Sequence, residues 1–218
     1  MNTDKARQVI RSQAEAVLSL EKRIGPEFEK AVETILNCRG RVIVTGMGKS
    51  GIIARKIAAT LTSTGTAASY LHPAEGVHGD LGIVRREDVI IVVSKSGGTD
   101  EVYQLFPVFK RLGIPIIALL GNLNSPVAEK SDIVIDVSVS EEACGNDLIP
   151  TSSTTAALVM GDALAIMLLE ERHFSPEDFA LLHPGGNLGR RMLLRVEDVM
   201  HTGGEIPVVR EEDTVKDA

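Results

Sequence analysis

The chain has 218 residues, a formal net charge of −7, and 44% hydrophobic against 24% charged residues, the composition of an ordinary globular domain. The acidic balance, 3% aromatics and absence of Trp provide neither a broad basic face nor a stacking platform, so no nucleic-acid partner is expected. The stretch Met1 to Arg11 is polar and no apolar run is read as reaching the roughly 20 residues of a membrane span. Two cysteines, Cys38 and Cys144, make neither a disulfide framework nor a zinc set. A cytoplasmic protein with no membrane partner is therefore expected.

In chain order, Ile10, Val17, Leu20 and Ile24 mark an amphipathic helix over about 4 to 23, with Thr3 as N-cap. Pro26 opens a second helix whose Phe28, Ala31, Val32 and Ile35 fall on one face, stopped by Gly40. The pair predicts an N-terminal helical hairpin. Continuous apolar runs follow at 42–44, 67–71, 89–93, 114–120 and 133–137, as expected of strands covered on both faces of a parallel sheet. Helix-length stretches separate them at 51–64, 100–112 and just after Ser125, and a long apolar helix is predicted from Thr151 to Glu170. This alternation predicts an α/β, three-layer αβα sandwich on a five-stranded parallel sheet.

Two kinds of loop point to an anionic ligand. Gly46-Met47-Gly48-Lys49-Ser50-Gly51 follows the first strand and opens a helix. A dinucleotide site would need an acid at the end of the second strand, which reads Ala68-Ser69-Tyr70-Leu71, and a P-loop would need Gly at position 43, which is Ile. What remains is glycine backbone, a helix N-terminus and the charge of Lys49 facing an anion, or a tight turn with a solvated lysine. After the third strand, Ser94, Ser96 and Thr99 put three hydroxyls around Gly97 and Gly98. One would suffice for a helix cap. A third cluster, Thr151 to Thr155, opens the long helix. Open α/β sheets bind ligands at the carboxyl ends of their strands, so these converging loops predict a phosphorylated small molecule.

Taken together, Ser-x-Ser-Gly-x-Thr-x-Glu (94–101), Gly-x-Gly-Lys-Ser-Gly (46–51) and Pro-Thr-Ser-Ser-Thr-Thr (150–155) resemble the sugar isomerase, or SIS, domain, which has a flavodoxin-like fold. His72-Pro73-Ala74-Glu75, His78-Gly79-Asp80-Leu81-Gly82, Glu142-Ala143-Cys144, the 158–164 run and His183-Pro184-Gly185-Gly186-Asn187-Leu188-Gly189 are similar to the D-arabinose-5-phosphate isomerase family of the Kdo pathway. The segment 195–218 resembles the start of a CBS domain, a pair of which follows the isomerase domain in many such proteins. This implies a SIS domain over 1–194 and a CBS stub over 195–218 of a truncated chain. Position 98, often Glu in these loops, is Gly. Position 95, often Asn or Gln, is Lys, which either adds charge near the phosphate or points into solvent.

The resemblance implies an aldose–ketose isomerase interconverting D-ribulose 5-phosphate and D-arabinose 5-phosphate with no cofactor, from a homotetramer with active sites at subunit interfaces. It implies Lys49, Glu101, Glu142 and His183 as the catalytic set. Glu142 is assigned the proton transfer, Lys49 the stabilisation of the enediolate or of the phosphate charge, Glu101 either catalysis or orientation of Lys49 by a salt bridge, and His183, supplied by a neighbouring subunit, ring opening or proton shuttling. Gly48, Ser50, Gly51, His78, Ser94, Ser96, Gly97, Thr99, Ser152, Ser153 and Thr154 are assigned to substrate and phosphate. No metal is required, although His72, Glu75 and His78 are spaced for adventitious zinc. A non-catalytic sugar-phosphate sensor and a hexulose 6-phosphate isomerase share the fold and are the alternatives.

Overall fold

The computed structural model describes residues 3–144, 146–186, 189, 192, 195–206, 208, 209, 211, 212, 214 and 216. The chain divides into two compact units, Met1–Phe174 and Ser175–Ala218. In the first, strands β1 (Val42–Thr45), β2 (Ala68–Leu71), β3 (Val89–Ser94), β4 (Ile116–Leu120) and β5 (Ile133–Asp136) form one parallel sheet in the order β2-β1-β3-β4-β5. The predicted strands appear within two residues of their expected ends, because side chains on both faces are apolar and both faces are covered. Val42, Val44, Val89, Ile91, Val93, Ile117 and Leu119 face one layer, and the intervening Ile43, Ile90, Val92, Ile116, Ala118 and Leu120 face the other. This is the alternation that a pleated strand imposes.

The first layer holds α1 (Asp4–Leu20), α2 (Pro26–Leu36), α3 (Gly48–Ser63) and α8 (Ser152–Glu171). The second holds α5 (Asp100–Tyr103), α6 (Phe106–Leu112) and α7 (Pro126–Lys130), with the short α4 (Pro73–Val77) beside α5. On α2 the predicted Phe28, Ala31, Val32 and Ile35 are all buried. The expected stripe of α1 holds in part: Leu20 is buried and Val17 half-buried, whereas Ile10 is 69% and Ile24 46% exposed, and Ala16 joins Leu20 on the buried side. Thr3 has helical backbone angles and makes no side-chain cap, and the end of the predicted helix tightens into a 3₁₀ turn at Glu21–Arg23.

The single helix expected over 100–112 is broken between Tyr103 and Phe106. Pro107 has no N–H to return to the Tyr103 carbonyl, so a continuous ladder cannot form there. The expectation that no run is long and apolar enough to span a membrane is also corrected: α8 meets that test by length and composition, with a mean hydropathy of 1.6. Its Ala156, Met160, Leu164 and Leu168 are buried in the core, however, so packing within this unit accounts for its apolarity.

In the second unit, α9 (Pro176–Leu182) opens on a capping box between Ser175 and Asp178. A short helix spans Val196–Val199 and a 3₁₀ turn Gly203–Glu205. Asn187 and Leu188 of the Pro-Gly-Gly segment, and Pro207, Asp213, Val215, Asp217 and Ala218 of the segment read as a CBS stub, lie outside the described residues.

Candidate active site

Strands β2 and β3 lie on opposite sides of β1, so the chain reverses direction across the sheet between β1 and β3. Loops leaving the carboxyl ends of such strands diverge and open a crevice. The two leaving here are the glycine loop before α3 and the hydroxyl loop before α5.

The glycine loop is held by Tyr70, whose hydroxyl donates to the Gly46 carbonyl at 3.0 Å and whose ring lies under the Arg55 guanidinium. A Cβ on Gly51 would stand 2.5 Å from that carbonyl, so only glycine lets the first turn of α3 approach so closely. Lys49 sits exposed in that turn, beside half-buried Ser50. Gly48, Gly51, Arg55, Tyr70 and His72 line a hollow of about 230 Å³, and the buried Nδ1 of His72 has no hydrogen-bond partner among the described residues. Arg55 and Tyr70 went unassigned in the sequence because they act on a loop that precedes them.

The hydroxyl loop uses part of its own chemistry. Ser94 Oγ accepts the Gly97 N–H at 2.9 Å and Ser96 Oγ the Gly98 N–H at 3.3 Å. Both hydroxyls therefore shape the loop while keeping an O–H to donate. Gly97 has φ +63°, and a Cβ there would collide with the Ser125 hydroxyl. Thr99 precedes α5 but makes no side-chain cap, so capping is not its use.

The cluster opening α8 is used differently from expectation. Thr154 bonds back to the Thr151 carbonyl and Thr155 to Gln13 of α1, while Thr151 and Ser153 turn to Glu142. Ser152 Oγ, fully buried, has no hydrogen-bond partner among the described residues. The Glu142 carboxylate caps the helix: Oε2 accepts the backbone N–H groups of Thr151 at 2.8 Å and Ser153 at 3.2 Å, and Oε1 takes the Ser153 hydroxyl. Lys95 completes the set, with Nζ 2.7 Å from Oε1. Position 95 thus points neither into solvent alone nor to an open phosphate site but onto Glu142.

Burial pushes the Glu142 carboxyl up. Lys95, the Ser153 hydroxyl and the Thr151 and Ser153 N–H groups outweigh it and hold the group at about 2, below its ordinary 4.5. A carboxylate held that low, with its side chain 0% exposed, is a weak base in this arrangement, and the assigned proton-transfer residue is here a helix cap. Ser50, Ser94, Lys95, Gly121, Ser153 and Thr154 close around a void of about 10 Å³ beside it. The three loops expected to converge are therefore brought together.

Other assigned residues are dispersed. Glu101 is half-buried on α5 and, among the described residues, forms no ion pair with Lys49, so the orienting salt bridge is not made. His78 is exposed at the end of α4, away from the hollow that His72 lines. No three His, Cys, Asp or Glu side chains among the described residues gather as a metal site, so His72, Glu75 and His78 do not form one. His183 belongs to the second unit. Its ring stacks on Phe179 at 3.9 Å, and Nδ1 lies 2.9 Å from the Phe179 carbonyl. A carbonyl only accepts, so Nδ1 carries the proton and Nε2 presents its lone pair.

Residues 35–167 match the SIS domain family. The chain belongs to the SIS family. The SIS match takes in Lys49, Glu101, Glu142 and all three loops, and ends before His183. The chain is 54% identical over 204 residues to the Pseudomonas aeruginosa PAO1 protein named arabinose 5-phosphate isomerase KdsD, covering 94% of this chain and 63% of that one. It is 50% identical over 212 residues to the protein of the same name in Escherichia coli K12, covering 97% and 65%. The chain thus spans less than two thirds of the length of these relatives. Among solved structures, this SIS domain is similar to Escherichia coli CFT073 c3406 in complex with arabinose 5-phosphate. The two share 39% identity and a TM-score of 0.76 over 84% of this chain and all of the other.

Proposed function

We propose that this SIS domain is an isomerase that interconverts D-ribulose 5-phosphate and D-arabinose 5-phosphate through an enediolate, the first step of Kdo biosynthesis. The observation that carries the reading is the meeting of phosphate-type loops, Lys95 and Glu142 at the β1/β3 crevice, in a chain half identical to curated arabinose 5-phosphate isomerases. The match to a solved complex with arabinose 5-phosphate, over the whole length of that chain, supports the same substrate.

The backbone and hydroxyl donors of 94–99, together with Ser50, hold the phosphate beside the N-terminal turn of α8 that Ser152 to Thr154 form. Gly48, Gly51 and His72 border the sugar end. Lys49 stabilises the enediolate oxygen. Glu142 takes the proton from one of C1 and C2 and returns it to the other. Glu101 is the carboxylate that inherits this role if Glu142 stays a helix cap. Separate Glu142→Gln and Glu101→Gln substitutions identify the base as the one that lowers kcat by about 10²- to 10⁴-fold.

His183 acts from a neighbouring subunit of a homotetramer, its Nε2 taking up the ring-opening proton. Exposed Ile10 at 69% and Leu18 at 68% on α1 provide an apolar face for such assembly. The segment from 195 begins a CBS domain, and the protein works in the cytoplasm. Incubation with ribulose 5-phosphate, followed by NMR, tests the reading. Arabinose 5-phosphate is the expected product, whereas fructose 6-phosphate formed only from the hexulose phosphate would assign another substrate, and no turnover on either would favour a sensor.

A further inference from the structure

Lys95 and Glu142 are paired across two elements, one on the phosphate loop and the other in the segment before α8. The partners of Glu142 are not equivalent. Those from Thr151 and Ser153 are fixed by the first turn of α8, whereas Lys95 reaches it on a flexible stem and is itself 40% exposed against 0% for Glu142. Among the described residues Lys95 is the one charged side chain against this carboxylate. Asp147 accepts the Glu142 backbone N–H at 2.9 Å.

The void beside the pair, about 10 Å³, holds about one water molecule. A phosphate group is larger than that space, and Lys95, the one charged side chain lining it, is free at its exposed end to move as the anion enters. The ammonium then has a dianion to turn to, on the same loop whose amides and hydroxyls would bind it, and a dianion attracts it more strongly than a single carboxylate at equal distance.

We propose that Lys95 is a substrate-responsive latch: its ammonium pairs with Glu142 in the resting protein and passes to the phosphate of an entering sugar phosphate, freeing the carboxylate for proton transfer. The latch rests on the isomerase reading above. Once freed, the carboxylate takes a C–H proton to become the acid, and the electron pair of that bond forms the enediolate. With the hydroxyl proton passing between O1 and O2, return of the carbon proton to the adjacent carbon gives the isomer and restores the carboxylate, so no co-reactant is consumed. Lys95 touches the phosphate and acts on the chemistry through Glu142, which makes it a positioning residue.

A crystal structure with arabinose 5-phosphate bound tests the movement. Lys95 Nζ is expected on a phosphate oxygen and out of ion-pair reach of Glu142, whereas an intact pair beside the bound sugar phosphate would overturn the latch. A gain of function tests the consequence. In D₂O, Lys95→Asn should exchange the C2 proton of unphosphorylated D-arabinose faster than the native protein, because a carboxylate that has lost its ammonium partner is the stronger base. Inorganic phosphate added in trans should accelerate the native protein and leave Lys95→Asn unchanged. For ribulose 5-phosphate the same variant should raise KM by about 10- to 100-fold, the usual loss for a charged hydrogen bond, with kcat largely kept. An active isomerase showing none of these exchange effects would reject the latch alone. No turnover of ribulose 5-phosphate would reject the isomerase, and the crystal structure would still decide the movement.

Discussion

Lys95 Nζ stands 2.7 Å from a carboxylate oxygen of Glu142, the residue that also caps α8. The pair gives the fold an acid-sensitive element. The folded carboxyl sits at about 2 against an ordinary 4.5, so its contribution to stability is complete above about pH 4.5 and is lost as the pH falls toward 2. Between pH 6 and pH 3 the native chain should lose roughly 2 kcal/mol through this group, and Glu142→Gln should lack that component. Urea midpoints at the two pH values check it, and equal losses in both proteins would show that the pair is not stabilising.

The glycine at 97 is required by conformation and by space. Its φ of +63° and the collision of a Cβ with the Ser125 hydroxyl mean that Gly97→Ala must move the loop. The cost should be about 1–3 kcal/mol in stability, with a raised KM for the phosphorylated substrate. Thermal unfolding and steady-state kinetics measure both, and a native KM would remove this loop from the phosphate site.

Lys49 is exposed and makes no ion pair among the described residues. Lys49→Met should therefore leave the unfolding temperature within a degree or two, a surface-substitution effect of about 0.5 kcal/mol. It should also lower kcat by about 10²-fold or more, as removal of an oxyanion-stabilising group does. Native kcat in this variant would transfer that role elsewhere.

His183 stacks on Phe179 and gives its Nδ1 proton to the carbonyl of the same residue. His183→Gln can retain a polar group there but not a basic nitrogen, and should lose turnover as fully as His183→Ala. Circular dichroism of both variants should match the native chain. Recovery of activity in His183→Gln would make the role one of hydrogen bonding instead of proton transfer.

Sheet and layers were legible because strands such as Val89–Ser94 are apolar on both faces and are bounded by glycine or hydroxyl turns. The α5/α6 break was readable in principle from Pro107, but the stretch 100–112 reads as one helix from its length between two strands alone. Burial of α1 was legible at Leu20 but not at Ile10 and Ile24, since periodicity defines an apolar stripe without saying how much of it a neighbour covers. At the site, the three loops were legible as local motifs. The Lys95–Glu142 contact was not, because it joins residues far apart in the chain and depends on how the 137–150 segment returns to the sheet. The capping work of Thr151 and Ser153 was hidden for the same reason: a row of hydroxyls looks alike whether it faces a phosphate or a carboxylate of its own chain.

The most direct measurement is ¹H NMR of arabinose 5-phosphate incubated with the protein in D₂O. An enediolate mechanism predicts loss of the C2 proton signal together with the appearance of ribulose 5-phosphate. An unchanged C2 signal and no ketose, with the protein folded and saturated with sugar phosphate, would contradict it.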